Sequence, residues 1–472
     1  MAGSTKSIGA AQAKLFLLGV LNPADIRQRI VETYEPDHRT LRQRVSIDAQ
    51  IPRHFLGRQQ ADVFYFPLLI PIKGNLLDNL DVYGADGASL PQLSYREYLQ
   101  VAARTLRDIL ASGFGPPHSF PLSDDALHAE YRALVGMIQR RLPGPAPTAP
   151  DPADPAGWEG IEELAATDAD QRSQRDIAAA FARKLTSHYA IVVLVRPDRT
   201  GRFVIRYEQT LIPDMDLSRK RDMLTLALGT RPIKLTIDLG NASTCQSYHL
   251  RVAGTDGLYL GRQELSGCEA TLRRTAPGAP TRPHIRFRKR LGQPHAHFYA
   301  RFFPVPAPGE SPLVRFSYYE VPPGSVVRAA VSVVACLLLV WTVGIIESVG
   351  GPDPGTDAPA FLLAFPAVAA AWLGFESPSR RLLEGTMASR ASLAGTTFLS
   401  IAASALFMAH KALGDKVVWS DLPRHFTVLG ATDMSWAVLI LLALVNASAV
   451  CYCYVNRLFL FTRLAARNQR DR

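Results

Sequence analysis

Four apolar stretches near the C-terminal end constrain this chain of 472 residues more than any other feature. They span residues 329–346, 358–375, 391–409 and 435–455, and none contains Asp, Glu, Lys, Arg or His. Each reaches the roughly 17–25 residues needed to cross a hydrocarbon core of about 30 Å. One such stretch could be a buried helix of a soluble protein, but four in succession predict four transmembrane helices.

The short loops between these stretches predict the orientation of the chain. Loop 347–357 has no Lys or Arg, whereas loop 376–390 carries three arginines and the tail 457–472 carries five. Lys and Arg concentrate in cytoplasmic loops. We therefore expect a multi-pass protein of the cytoplasmic (inner) membrane with its N-terminus and C-terminus in the cytosol. The absence of ionisable residues inside the spans disfavours a proton-coupled transporter.

The N-terminal region is predicted to stay in the cytosol. Its first apolar run, residues 15–21, is short for a signal peptide and has no A-x-A cleavage site after it. Five cysteines without a CxxC pair disfavour a disulfide scaffold and a zinc ribbon, so the soluble part is expected to be reduced and intracellular.

Residues 1–142 read as an α+β domain. Helical spacing of apolar residues predicts a helix over 23–34, and alternation predicts a strand over 44–51. Residues 63–72 are predicted to form an apolar strand interrupted by Pro67 and Pro71. Ser94-Tyr95-Arg96-Glu97 is a capping box that predicts the start of a helix running to about residue 111. Another helix is expected over 123–142. The Pro-rich segment 143–157 then predicts a linker.

Residues 158–322 read as a helical lead-in followed by eight short strands, which indicate a β-sandwich-like domain. The first two of these strands, 190–195 and 203–211, flank an Asp-Arg-Thr-Gly turn and predict a hairpin. The expected fold is thus an α+β cytosolic region ending in this domain, followed by a four-helix transmembrane bundle (325–456) and the basic tail (457–472).

Several local patterns together resemble those of uncharacterised multi-pass membrane proteins of high-GC bacteria. They are a proline-flanked apolar strand, an Asp-Gly turn and Leu-Pro within 66–90, then Ser247-Tyr248-His249 with Gly257-Leu258, then His297-Phe298-Tyr299 before the first span. The resemblance covers the chain loosely. It implies a membrane protein, but no catalytic residue comes with it because that group has no established activity.

The net charge of +10 is concentrated just before the first span. Residues 1–272 hold 31 basic and 31 acidic side chains, whereas 273–328 hold ten basic residues against Glu310 and Glu320. A nucleic-acid-binding protein would carry its excess positive charge on a folded domain, whereas this excess lies just before the first span. We therefore expect no nucleic acid and instead an anionic inner leaflet as partner. The predicted contact residues are Arg282, Arg286, Arg288, Lys289, Arg290 and Arg328.

Two further patterns resemble sites of chemistry. Residues 236–244, Thr-Ile-Asp-Leu-Gly-Asn-Ala-Ser-Thr, are similar to the first phosphate loop of actin-like and Hsp70-like ATPases, but too little soluble chain follows for the rest of that fold, so we expect a strand and a turn. His295 and His297 could share one side of a strand, with no acidic residue or cysteine nearby. We therefore predict no catalytic residue, cofactor or metal, and no enzyme.

A large cytosolic region without a catalytic motif, joined to uncharged spans, predicts an adaptor or sensor that docks a protein partner or assembly at the inner membrane face. The alternatives are a channel or pore-forming effector gated by the cytosolic domain and a membrane-bound enzyme of unrecognised chemistry. Homo-oligomer formation is left open.

Overall fold

The chain has a mixed α+β fold with apolar helices at its C-terminal end. The computed structural model describes residues 9–37, 40–55, 63–75, 77–114, 122–138, 157–212, 233–254, 257–268, 284–287, 293–307, 310–322, 324–350, 357–375, 387–413, 430–431 and 433–470. Most of the Pro-rich linker lies outside these residues.

The elements follow the chain in this order. The helices are α1 (Ala10–Leu21), α2 (Tyr95–Phe114), α3 (Asp124–Ile138), α4 (Glu159–Glu162), α5 (Ala169–Ser187), α6 (Gly324–Gly350), α7 (Ala358–Phe375), α8 (Met387–Leu413) and α9 (Met434–Arg470). The strands are β1 (Arg27–Asp37), β2 (Thr40–Gln50), β3 (Phe64–Leu69), β4 (Asp78–Gly84), β5 (Ile191–Val195), β6 (Arg202–Leu211), β7 (Ile233–Asp238), β8 (Ser247–Ala253), β9 (Leu258–Ser266), β10 (His284–Phe287), β11 (His295–Arg301) and β12 (Leu313–Glu320).

The largest sheet has seven strands in the order β10-β11-β8-β1-β2-β6-β4. Its pairs are antiparallel except β1 and β8, which run parallel. Strands from both predicted segments, 1–142 and 158–322, therefore pair in one sheet.

This sheet has a buried inner face and a polar outer face. Along β2, buried Val45 and Ile47 alternate with the more exposed Arg44 and Ser46, as the sequence predicted for 44–51. Such alternation is typical of a sheet with one solvated face. The pairing register places Arg44 beside Glu208 of β6, so the outer face continues across neighbouring strands.

The helix predicted over 23–34 is wrong, because most of this segment forms β1. Its apolar residues fit both the helical period of about 3.6 residues and the strand period of two. Ile30 and Tyr34 are buried, however, while Val31 and Thr33 between them are only partly buried. β-branched side chains at 30, 31 and 33 favour a strand. Pairing with β2 on one side and β8 on the other satisfies the backbone of β1.

Two smaller sheets complete the strand region. One has the order β7-β12-β9, and the other contains β3 and β5. The predicted hairpin between 190–195 and 203–211 is also wrong: the turn at Asp198 forms, but β5 pairs with β3 while β6 pairs with β2 and β4. The seven-stranded and three-stranded sheets contribute to one hydrophobic cluster.

Helices α1 to α5 enclose a second hydrophobic cluster, which includes Phe16, Leu106, Ala133, Ile161 and Phe181. The predicted capping box opens α2: the Ser94 backbone N–H and hydroxyl each donate to Glu97 Oε2 over 2.8 Å. Helix α1 lies close against β3, because Gly19 leaves room for the Pro67 ring where a Cβ would lie 2.6 Å from it.

Three of the C-terminal helices are long and apolar enough to cross a membrane: Gly324–Glu347, Ser389–Ala412 and Met434–Arg463. The second predicted span is a shorter apolar helix, Ala358–Leu373. At 1.5 Å per residue its 16 residues reach about 24 Å, less than a hydrocarbon core of about 30 Å. The expectation of four spans is thus supported for three of them.

The four C-terminal helices share hydrophobic contacts and a set of neutral polar ones. Asn446 of α9 accepts from the Ser392 hydroxyl over 2.8 Å and donates to the Ser392 carbonyl over 3.2 Å. Next to Pro366 in α7, the Ser400 hydroxyl donates to the Leu363 carbonyl and accepts from the Ala367 N–H over 3.1 Å. The small polar residues of α8 therefore bind neighbouring helices.

Candidate functional site

The sheet region and the C-terminal helices meet at Glu320, the last residue of β12. Its carboxylate accepts from the Ser325 backbone N–H over 2.5 Å and from the Ser325 hydroxyl over 2.9 Å, at the first turn of α6. A carboxylate at this position satisfies free N–H groups and interacts favourably with the helix dipole. Glu320 therefore fixes the direction in which the chain enters α6.

Arg457 of α9 completes this contact, which we call the junction (Glu320, Ser325 and Arg457). Its Nη1 lies 2.7 Å from Glu320 Oε2, and the two side chains are only 15% and 17% exposed. An ion pair shielded to this degree is screened less by salt than a surface pair. The junction links the last strand to the first and last C-terminal helices.

The junction requires a glycine beside it. Gly324 has a φ of +50°, and a Cβ there would lie 2.7 Å from the Glu320 carboxyl carbon. A side chain at position 324 would be strained by its backbone and would collide with the carboxylate.

A second contact lies next to the junction. The Tyr259 ring of β9 stacks on Tyr319, with centroids 5.6 Å apart, and meets Phe461 of α9 edge-on at 5.2 Å. Burial raises the pKa of Tyr259 to about 12, so its hydroxyl is neutral at physiological pH. Strands β9 and β12 of the three-stranded sheet are thus held against α9.

A shallow pocket lies at the junction, lined by Glu320, Val321, Pro322, Gly324, Val326, Tyr454 and Arg457. Its empty volume of about 180 Å³ is not an enclosed cavity but includes space open to solvent. We therefore interpret the junction as a mechanical contact between protein elements.

A network of buried polar side chains lies in the core of the sheet region, centred on Glu32 of β1. Glu32 is fully buried and accepts from the Tyr248 hydroxyl over 2.7 Å, the Tyr34 hydroxyl over 3.3 Å and the Asn241 amide. Burial raises the pKa of Glu32, and the three donors oppose that rise. This network, which we call the Glu32 network, satisfies a carboxyl group that would otherwise strongly oppose folding.

Asn241 belongs to the segment that resembles a phosphate loop. The structure confirms a strand followed by a turn: β7 ends at Asp238 and a short 3-10 helix spans Gly240–Thr244. The Asn241 amide donates to Glu32, and the Thr244 hydroxyl accepts from Arg27 over 3.3 Å. The polar side chains of the turn thus bind the core of the sheet region.

Arg27 is the second buried charged residue of β1. It donates to the carbonyls of Pro67 and Leu68 over 2.9 and 3.0 Å, at the register shift of β3. Burial lowers the pKa of Arg27. Burial also raises the pKa of the nearby Cys245 thiol to about 12, so this cysteine is not activated as a nucleophile.

The predicted lipid-contact residues are only partly described. Arg286 lies on β10 with an exposed side chain, and Arg328 is exposed on α6. Arg282, Arg288, Lys289 and Arg290 lie outside the described residues. His295 and His297 are both on β11, and among the residues described here no group of three or more His, Cys, Asp or Glu side chains could hold a metal ion.

Sequence reasoning missed both the junction and the Glu32 network. The sequence contains a signal that could have indicated the junction. Glu320 is one of two acidic residues in the basic stretch 273–328, and Arg457 is the first basic residue after the last predicted span. The Glu32 network was hidden because its strand was predicted as a helix.

Comparisons with known proteins add little to this geometry. No protein family matches the chain, and no curated protein matches it. Among solved structures it is similar to one described as "a putative protease from Parabacteroides distasonis ATCC 8503", at 10% identity with a TM-score of 0.20. That match covers 80% of this chain and spans 59% of the other. At this TM-score the likeness carries no argument about fold or chemistry.

Proposed function

We propose that this chain is a multi-pass membrane adaptor or sensor whose sheet region lies in the cytosol and docks a protein partner or assembly at the inner membrane face. The observation that carries the proposal is the ion pair of 2.7 Å between Glu320 and Arg457. An adaptor or sensor needs its docking region held firmly on its anchor, and this contact links the sheet region to α6 and α9.

The same contact supports an even number of spans. Glu320 precedes α6 and Arg457 follows the apolar part of α9, so a direct contact requires both ends on one side of the membrane. At the opposite helix ends, Lys411 of α8 pairs with Asp357 before α7 over 2.5 Å. We therefore include α7 as a fourth crossing in a four-helix transmembrane bundle, with the preceding sheets as a β-sandwich-like unit and both termini in the cytosol.

The basic residues before α6 fit a location next to an anionic inner leaflet. Each basic group that reaches such a surface contributes about 1 kcal/mol of attraction. A fragment of residues 1–322 keeps the twelve strands of the described residues and should co-sediment with anionic vesicles in a salt-sensitive manner. The triple substitution Arg286→Gln, Arg288→Gln and Arg290→Gln should weaken that binding. Equal binding of the unchanged fragment to neutral vesicles would refute the lipid contact.

Two alternatives remain in other classes: a channel or pore-forming effector, and a membrane-bound enzyme of unrecognised chemistry. A pore would use the hydroxyl-rich residues of α8, but Ser392 and Ser400 are engaged with α9 and α7. These bonds favour packing over pore lining. Reproducible single-channel currents from the purified chain in planar bilayers would favour the channel.

Cross-linked affinity purification of the full chain from native membranes tests the adaptor directly. We expect a defined protein to be cross-linked to the cytosolic sheet region. A matched preparation with Glu320→Gln and Arg457→Gln should retain the protein in the membrane but change the yield or the positions of these cross-links. Recovery of no partner with the native chain would contradict the proposal.

A further inference from the structure

The pairing register gathers cationic and aromatic side chains on the outer face of β8, β10 and β11. Arg286 lies opposite Tyr299, which lies opposite His249. His284 lies opposite Arg301 in the next row, and Arg251 lies opposite His297 in the row on the other side. Residues opposite each other in a sheet share a face, so these seven side chains form one surface, which we call the cationic face.

The cationic face differs from the rest of the outer face in its charge balance. On β1 and β2 the outer arginines Arg29 and Arg44 have carboxylate partners: Arg29 pairs with Asp48 at 2.7 Å, and Arg44 pairs with Glu35 at 3.1 Å and Glu208 at 3.0 Å. Strands β8, β10 and β11 contain no Asp or Glu. Arg251, Arg286 and Arg301 are exposed, so this half of the outer face attracts anions.

Ring contacts hold the centre of the cationic face in place. The His249 ring centroid lies 4.7 Å from that of Tyr299, and the His284 ring lies 6.1 Å from it. A surface that is already ordered loses less side-chain entropy on binding. Burial, followed by the nearby Arg29, lowers the pKa of His249, so His249 itself adds no charge at neutral pH.

The arrangement of these arginines favours a partner that crosses several strands. Arg251, Arg286 and Arg301 lie in three successive rows and on three neighbouring strands of the same face, so the Cα atom of Arg286 lies about 8 Å from that of Arg301 and about 12 Å from that of Arg251. Carboxylates along one peptide segment that crosses these strands can reach all three cations through charge-assisted hydrogen bonds.

We infer that the cationic face is the docking surface for an acidic segment of a protein partner. This inference rests on the proposed adaptor function and names the chemistry of its partner. Arg286 also belongs to the predicted lipid contact, whereas Arg251 and Arg301 do not, so these two arginines separate the two interactions.

The test uses the full chain in nanodiscs of neutral lipid and a fluorescent peptide of alternating Glu and Thr. We expect binding that weakens with salt, and no binding of the matching Gln-Thr peptide. R251Q/R301Q should reduce the affinity about tenfold, because two charge contacts are removed from the cationic face. The control R196Q/R199Q changes net charge equally at exposed positions elsewhere and should alter affinity less than about twofold.

Three results would overturn this inference: no binding of the Glu-Thr peptide, an equal loss in both double variants, or a larger effect of R251Q/R301Q on anionic vesicles or single-stranded RNA than on the peptide. Failure here is distinct from failure of the adaptor function. If the peptide does not bind while affinity purification still recovers a partner, the adaptor stands and only its docking surface is wrong.

Discussion

The core of the sheet region and the contacts among the C-terminal helices bury polar groups in different ways. The sheet core holds an ionisable carboxyl group, Glu32, surrounded by two tyrosines and an amide. The helices use neutral groups, such as Asn446 with Ser392. A helix that inserts into lipid must carry its polar groups through hydrocarbon, where a charge is far more costly than an amide. A region that folds in water removes its charged groups from solvent only when its hydrophobic core forms.

Among the substitutions that test this contrast, removal of the Glu32 carboxyl group should have the largest effect on stability. Glu32→Ala leaves the Tyr248 hydroxyl and the Asn241 amide without their acceptor in the core. We expect the free energy of unfolding of fragment 1–322 to fall by about 3 kcal/mol, measured by urea denaturation. Glu32→Gln keeps the size and one acceptor oxygen and should lose less. Equal losses would contradict this account, because the size and the acceptor oxygen that Gln keeps would then have no effect on stability.

The same residue should make stability depend on pH. Because burial raises the folded-state pKa of Glu32, the folded state holds its proton more tightly than the unfolded state. This contribution to stability is complete below the ordinary glutamate pKa of about 4.3 and is lost as pH rises through the raised value. The free energy of unfolding of Glu32→Gln should therefore fall less steeply over that interval. A steeper fall would contradict the assignment.

The junction should show an intermediate effect. Glu320→Ala leaves Arg457 and the first turn of α6 without their carboxylate, and we expect about 2 kcal/mol less stability for the full chain in nanodiscs. Glu264 of β9 pairs with Arg262 at a more exposed position, and Glu264→Ala should change stability by less than about 1 kcal/mol. A double-mutant cycle of Glu320→Ala and Arg457→Gln should give a coupling free energy of about 1 kcal/mol. No coupling would mean that the contact between these two residues does not stabilise the chain.

The helix contact should show the smallest effect. Asn446→Ala removes the hydrogen bonds to α8, and such contacts between membrane helices contribute about 0.6–2 kcal/mol. Thermal denaturation of the full chain in detergent measures the change. Val445 is the adjacent residue and 60% exposed, so Val445→Ala is the control. If both substitutions are equally mild, the neutral network does not stabilise the helices.

Sequence reasoning succeeded where the physical signal was local. The alternation in β2 predicted its strand, and the Ser94–Glu97 capping box predicted the start of α2. Both depend on residues within a few positions of one another. Residues 23–34 had a local signal too, but their spacing fitted two periods, and only pairing with β2 and β8 selects the strand.

The site depended on contacts that no local pattern carries. Glu320 and Arg457 are 137 residues apart in sequence, and Glu32 and Tyr248 are 216 apart. The cationic face was predicted only in part: Arg286 stood out in its cluster, but β11 and β8 had to be placed beside β10 before Arg301 and Arg251 joined it.

The position of the C-terminus tests the central claim most directly, because a cytosolic docking region held by the junction requires an even number of crossings. A reporter that is active only outside the cytoplasmic membrane should be silent when fused after Arg472 and active when inserted within 347–357. If α7 does not cross, α9 ends outside, and Arg457 is separated from Glu320 by the membrane. Activity of the reporter after Arg472 would therefore contradict the topology, the junction and the adaptor together.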